Sequence, residues 1–153
     1  MEELCQQADL IVEGHVKDTN ISKGRLIVAD DISIACSRHV VVIDNILKRP
    51  KYQVASQIFV VTLGATGDKI SEEVEGEAKL EKGKDVILFL SKDFPVGQAE
   101  YTIFGGFQGK YAVVDLRHDR YVFGALVEDG TTLKNFRRIV KTNLGQGTLT
   151  ATV

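Results

Sequence analysis

At 153 residues, with 44% hydrophobic and 26% charged side chains, the chain has the size and composition of one globular domain that builds its own core. A formal net charge of −2 gives no global field to attract nucleic acid or anionic lipid. The longest apolar runs, Val40–Ile43 and Val86–Leu90, are far shorter than a membrane-spanning helix requires.

Residues Ala8–Lys17 read as a strand. Leu10, Val12, Gly14 and Val16 alternate with Asp9, Glu13, His15 and Lys17. Ile11 breaks this alternation and predicts a cover from a C-terminal helix. Asp18–Gly24 is polar and turn-rich. Arg25–Ala29 is a short β-prone piece, interrupted by Asp30 and Asp31. Ser33–Leu47 carries the longest β signal, β-branched and apolar on both faces at its centre. It ends before Pro50, which has no N–H to donate and holds Arg49 extended. Gln57–Leu63 is the next strand, closed by Gly64 and Gly67.

The polar stretch Asp68–Lys84, with Glu72, Glu73, Glu75 and Glu77, reads as a solvated loop. Its spacing does not match a calcium loop. Asp85–Leu90 is an apolar strand of the buried type, and Pro95 and Gly97 turn the chain. Ala99–Phe104 is a strand, Gly105-Gly106 predicts a bulge or bend, and Phe107–Val114 continues it. Arg120–Leu126 predicts a further strand. The period then changes: Leu133, Phe136, Ile139, Val140 and Leu144 fall at helical spacing, with Thr131 as N-cap and Gly145 as stop.

The expected fold is therefore mostly β, a small closed antiparallel (OB-like) barrel with one C-terminal amphipathic helix. One domain covers residues 1–145, and residues 146–153 form a flexible tail.

No catalytic constellation emerges. There is no nucleophile elbow, and Cys36 and His39 lie on opposite faces of their strand. His15 and His39 approach each other across the first hairpin but lack a third ligand, so no metal and no cofactor are expected. Gly105-Gly106-Phe107-Gln108-Gly109-Lys110 is not a P-loop, because a β-prone run rather than a helix follows it. Tyr101, Phe104, Phe107, Gln108, Lys110 and Tyr111 are the candidate binding residues, and the aromatics among them would serve as a stacking platform for single-stranded nucleic acid. A strong basic groove to accompany them is missing. Cys5 and Cys36 are expected near opposite ends of the first strand pair, too far apart to bond.

Leu4–Val12, Ile43–Pro50, Ile58–Leu63 and Leu80–Leu90, taken in order, resemble the netrin-like module, which includes the inhibitory domain of the tissue inhibitors of metalloproteinases. The resemblance covers roughly residues 4–114. Gly105, Gly106, Gln108, Gly109 and Lys110, with Leu133, Phe136 and Val140, further resemble a group of uncharacterised microbial proteins, usually exported or surface-attached. The resemblance implies an oligonucleotide/oligosaccharide-binding-type barrel. It does not carry over metalloproteinase inhibition, because the Cys-x-Cys that chelates the enzyme's zinc is absent here.

The functional expectation is a non-enzymatic binding or interaction module whose partner is another protein. A protease inhibitor acting by loop insertion and a single-stranded nucleic-acid binder are the alternatives. Met1-Glu2-Glu3 lacks the basic start of a signal peptide. A mature fragment of an extracytoplasmic or cell-surface protein is expected, with a cytoplasmic protein as the alternative.

Overall fold

The structure is a computed structural model that describes residues 1–29, 32–63, 65–66, 71–72, 79–92 and 100–152, with the backbone alone for residues 23, 25–29, 32–34, 63, 65–66, 71–72 and 146–152. The elements in chain order are α1 (Glu2–Gln7), β1 (Leu10–Ala29), β2 (Ile32–Lys48), β3 (Gln57–Leu63), β4 (Ala65–Thr66), β5 (Ser71–Glu72), β6 (Asp85–Ser91), β7 (Glu100–Ile103), a 3-10 turn (Gly106–Gly109), β8 (Lys110–Leu116), β9 (Asp119–Gly124), β10 (Val127–Thr132) and α2 (Leu133–Thr152). Asp30, Asp31, Gly64, Gly67, Glu73, Glu75, Glu77 and the Pro95–Gly97 turn lie outside the described residues.

Among the described residues, eight strands form one sheet in the order β1-β2-β3-β7-β6-β8-β9-β10, and β1 also pairs with β6. The strands β1, β2, β3, β7 and β6 therefore run around a ring of five. Four of the five junctions are antiparallel, but β3 and β7 are parallel, with Val60 opposite Tyr101. This corrects the expectation of a wholly antiparallel arrangement, and the reason is parity. Antiparallel neighbours alternate in direction, so a ring with an odd number of strands must contain a parallel pair.

The first hairpin is longer than expected. Asp18–Gly24, read as a turn, stays within β1. Pairing jumps from Asp18 opposite Val40 to Ser22 opposite Arg38, so β1 absorbs two extra residues as a bulge. Asn20 supplies the left-handed conformation there (φ 52°), and its N–H donates to His39 Nδ1 at 3.2 Å. β2 ends at Lys48, as the following proline requires.

The β6 strand has β1 along one edge and both β7 and β8 along the other. Leu90 and Ser91 meet β7, while Asp85–Leu88 meet β8. β8, β9 and β10 then form a meander beyond the ring. The glycine segment produces this break. Instead of a bulge in one continuous strand, Gly105 and Gly106 take positive φ (77° and 58°) and lead into the 3-10 turn. A Cβ on Gly109 would lie 2.0 Å from the Phe104 carbonyl oxygen, so only glycine closes this turn.

Two cores lie on opposite faces of the shared strands. Leu10, Val12, Val86, Leu88, Leu90 and Tyr101 belong to the first. Ile11, Ile87, Phe89 and Tyr111 belong to the second, under Phe136 and Val140 of α2 and Leu4 and Cys5 of α1. Ile11 is thus covered by the C-terminal helix, as its break in the alternation predicts.

The sequence did not signal α1. It is one and a half turns long and has no side-chain N-cap. Lys48 holds its end, donating to the carbonyl oxygens of Cys5 (3.0 Å), Gln6 (3.1 Å) and Ala8 (2.6 Å). At α2 the cap shifts by one residue from the expected Thr131. Thr132 Oγ1 accepts the Asn135 N–H at 3.1 Å, while Thr131 Oγ1 accepts from the Asn135 side chain at 2.7 Å. The helix passes Gly145 and reaches Thr152, so Gly145 does not end it.

Candidate functional site

The six candidate binding residues do not share a surface. The Tyr101 ring is buried in the first core, and its hydroxyl is pushed up by burial and by a hydrogen bond with Tyr52. The Tyr111 ring is buried in the second core, 5.0 Å from Phe136 and 5.7 Å from Phe89, with its hydroxyl pushed up to about 12 by burial. Phe104 is half-buried against that same core. Lys110 donates to the Lys79 carbonyl oxygen, and its ammonium is shifted down by burial. Phe107, 53% exposed, and Gln108 alone face solvent from the 3-10 turn. The aromatics expected to stack on bases are spread over two hydrophobic cores and one turn.

The second feature is a polar cluster on the helix-covered side of the sheet, beyond the end of α2's cover. Along β1 this side presents Ile11, then Glu13, then His15. Their partners on β6 are Phe89, Ile87 and Asp85. Ile11 lies in the core. Glu13 is gripped by Arg137 of α2. At the next level His15 stands opposite Asp85. Asp44 reaches the same point because β2 carries an extra residue there: Glu13 is opposite Asn45, but Gly14 is opposite Ile43, so Asp44 is the bulged residue. Its two carboxylate oxygens lie 3.2 and 3.1 Å from His15 Nδ1. Arg120 of β9 completes the cluster, with Nη2 2.6 Å from Asp85 Oδ2 and Nε 2.8 Å from Asp115 Oδ1. His39, expected near His15, is elsewhere. It is buried opposite Val60, with Nε2 2.8 Å from Thr62 Oγ1.

The sequence hid this cluster because it needs three facts at once: the β1–β6 register, the bulge at Asp44 and the position of β9. The available signal was weak. Asp44 ends the apolar run Val40–Ile43, and Asp85 opens another.

The third feature is the open face of β8 and β9. Tyr111 and Val122 on one side of these strands are buried beneath α2. The opposite side carries Val114 across from Tyr121, with Ala112 across from Phe123 and Leu116 next along β8. Val114 and Leu116 are 39% and 43% exposed.

The chain has two thiols, Cys5 and Cys36. Cys5 is in the second core, and burial pushes its thiol up to about 11. Cys36 sits opposite Gly24 and Leu63. Among the described residues, no helix is long and apolar enough to cross a membrane. No family model, curated protein or solved structure matches the chain.

Proposed function

We propose that the chain is a non-enzymatic binding module, built on a small closed OB-like barrel of netrin-like type, that engages another protein through the open face of β8 and β9. The ring of five paired strands with its single parallel junction supports the barrel reading, since an OB-type barrel is a five-stranded Greek key. The exposed apolar pair Val114 and Leu116 of β8, on the face opposite the buried Tyr111 and Val122, carries the functional reading. Neighbouring apolar side chains on a rigid sheet lose little conformational freedom when covered, and aromatic flanks such as Tyr121 and Phe123 suit an interface core.

A photo-crosslinking side chain at position 114, introduced in the cell that makes the protein, tests this. One discrete protein adduct at position 114, absent with the crosslinker at Lys134 on α2 and absent when Leu116 is changed to Asp, is the expected result. Equal labelling at both positions, or none at position 114, sinks the reading.

One observation favours loop-insertion inhibition as a second reading. Among the described residues, Arg25–Ala29 and Ile32–Ala35 pair only with each other, past the last β2–β3 pair at Cys36 and Leu63. This hairpin end suits a cleft. Assay against a panel of proteases, with the hairpin shortened as the control, separates the two readings. The single-stranded nucleic-acid alternative retains only Phe107 as a freely exposed stacking ring of its original set.

A further inference from the structure

We propose that His15, Asp44 and Asp85 form a binding site for a divalent first-row transition-metal ion of the Zn2+ class. The three side chains offer one imidazole nitrogen and two carboxylate oxygens, all within 4.8 Å of one another. Ligands on one Zn2+ at bond lengths of about 2.0–2.2 Å lie roughly 3.5 Å apart in a tetrahedron, so about an ångström of closure completes the set. Half-exposed side chains can make that adjustment by small rotations. Their backbones are held in place, because His15 and Asp85 pair with each other and the bulged Asp44 sits between the paired residues Ile43 and Asn45.

Three details of the surroundings support a cation here. The first is charge. Asp44, Asp85 and Asp115 bring three carboxylates, and Arg120 returns one positive charge, which leaves an excess that a divalent ion balances. The neighbouring Glu13 is already matched by Arg137 and adds nothing. The second is the way Arg120 binds. It holds Asp85 through Oδ2 and leaves Oδ1 to the ion, the arrangement by which an outer partner orients a metal-bound carboxylate. The third is the bulge at Asp44. Regular pairing would have turned this carboxylate to the other face, and the extra residue returns it to His15.

The donor set selects the class of ion. Calcium takes six to eight oxygens, and magnesium prefers an oxygen-rich octahedron. One imidazole with two carboxylates suits Zn2+ or its first-row neighbours. Three protein ligands leave a position open to solvent, for water or for a donor from a partner. This site lies on the helix-covered side of the sheet and does not depend on the protein-docking face of β8 and β9.

Calorimetric titration of the full chain with Zn2+, paired with nitrogen NMR of the histidine rings, tests the proposal. One ion per chain is expected, with the His15 ring resonances moving and those of His39 and His118 unchanged. His15→Ala and Asp44→Asn should each weaken binding at least tenfold, and Arg120→Gln by about tenfold, as loss of an outer partner does. Cys36→Ser should bind as the parent does. All four positions are partly exposed, and unchanged thermal unfolding without metal verifies that each variant is folded. Absence of binding at millimolar Zn2+ overturns the site. So does uptake that survives His15→Ala, or that disappears with Cys36→Ser.

Discussion

Arg137 of α2 grips both carboxylate oxygens of Glu13 on β1, Nη2 to Oε1 at 2.6 Å and Nε to Oε2 at 2.7 Å, across 124 positions of the chain. Asn45 adds a third donor at 3.1 Å, and the Glu13 side chain is only 10% exposed. The fork fixes where α2 crosses the sheet as well as adding energy. Its loss is asymmetric. Arg137→Met strands a nearly buried carboxylate and should cost about 2–3 kcal/mol. Glu13→Gln leaves a half-exposed guanidinium that water can solvate, and should cost about 1 kcal/mol. Urea unfolding of the two variants checks the order. A reversal would mean that the carboxylate is better solvated than its burial indicates.

Phe136 is fully buried between the sheet and α2, against Tyr111. Phe136→Ala should cost about 3–5 kcal/mol, the usual range for emptying a packed aromatic site. The denaturation midpoint should fall with the slope unchanged. A cost under about 1 kcal/mol would mean that α2 is dispensable to the core.

His39 couples the first hairpin to pH. Its Nδ1 accepts the Asn20 N–H, which places the ring proton on Nε2, facing Thr62. Burial lowers its pKa from 6.5 to about 4. Unfolding between those values therefore takes up a proton, and stability rises with pH in that window. The contribution is complete above about pH 6.5, is lost as pH falls towards 4, and amounts to roughly 3 kcal/mol. His39→Gln should flatten the difference between pH 6.5 and 4, measured as unfolding free energy against the parent. Parallel profiles for parent and variant would show that the ring is solvated.

No disulfide joins Cys5 and Cys36. The Cys5 carbonyl oxygen lies 3.0 Å from Lys48 Nζ, and Cys36 is twelve residues back along β2 from Lys48. Twelve residues of strand span roughly 40 Å, against the 7 Å that a disulfide tolerates. Under native conditions Cys36 should react first with a thiol reagent. Cys5, buried with its thiol pushed up to about 11, should react only on unfolding. Two reactive groups are expected in denaturant. A mass lower by about 2 Da with none reactive would contradict the register of the first hairpin.

The legible parts of the fold were those encoded by local period. Gln57–Leu63 reads as a strand and is one, and the α2 residues Leu133, Phe136 and Val140 fall at helical spacing and are buried. Ile11 gave away a helix more than a hundred residues distant, because one apolar side chain on a polar face needs a cover. Other parts required tertiary knowledge. The short polar side chains of Asp18, Thr19 and Asn20 are turn chemistry, and here they build a bulge, since the same left-handed tolerance serves both. α1 is too short for a periodic signal and is held by Lys48, which is remote in sequence. β10, whose Val127–Thr132 stretch holds one strongly apolar residue, is a strand because β9 pairs with it. Tyr101 and Tyr111 look like a binding surface in a list of aromatics, but ring burial depends on which strand lies beside them. The His15–Asp44–Asp85 set was not legible, because a bulge changes which face a residue occupies and no composition signal marks it.

The β6 strand has paired neighbours on both edges and apolar contacts on both faces, with Val86, Leu88 and Leu90 turned one way and Ile87 and Phe89 the other. Its amides have no route to solvent through local fraying. They should be the slowest in the molecule to exchange hydrogen for deuterium, with protection equal to that of complete unfolding. Neither core can then melt and leave the other standing, because each would take this strand with it. A protease cutting within β6 has no partly opened form to attack and must wait for the whole molecule to come apart.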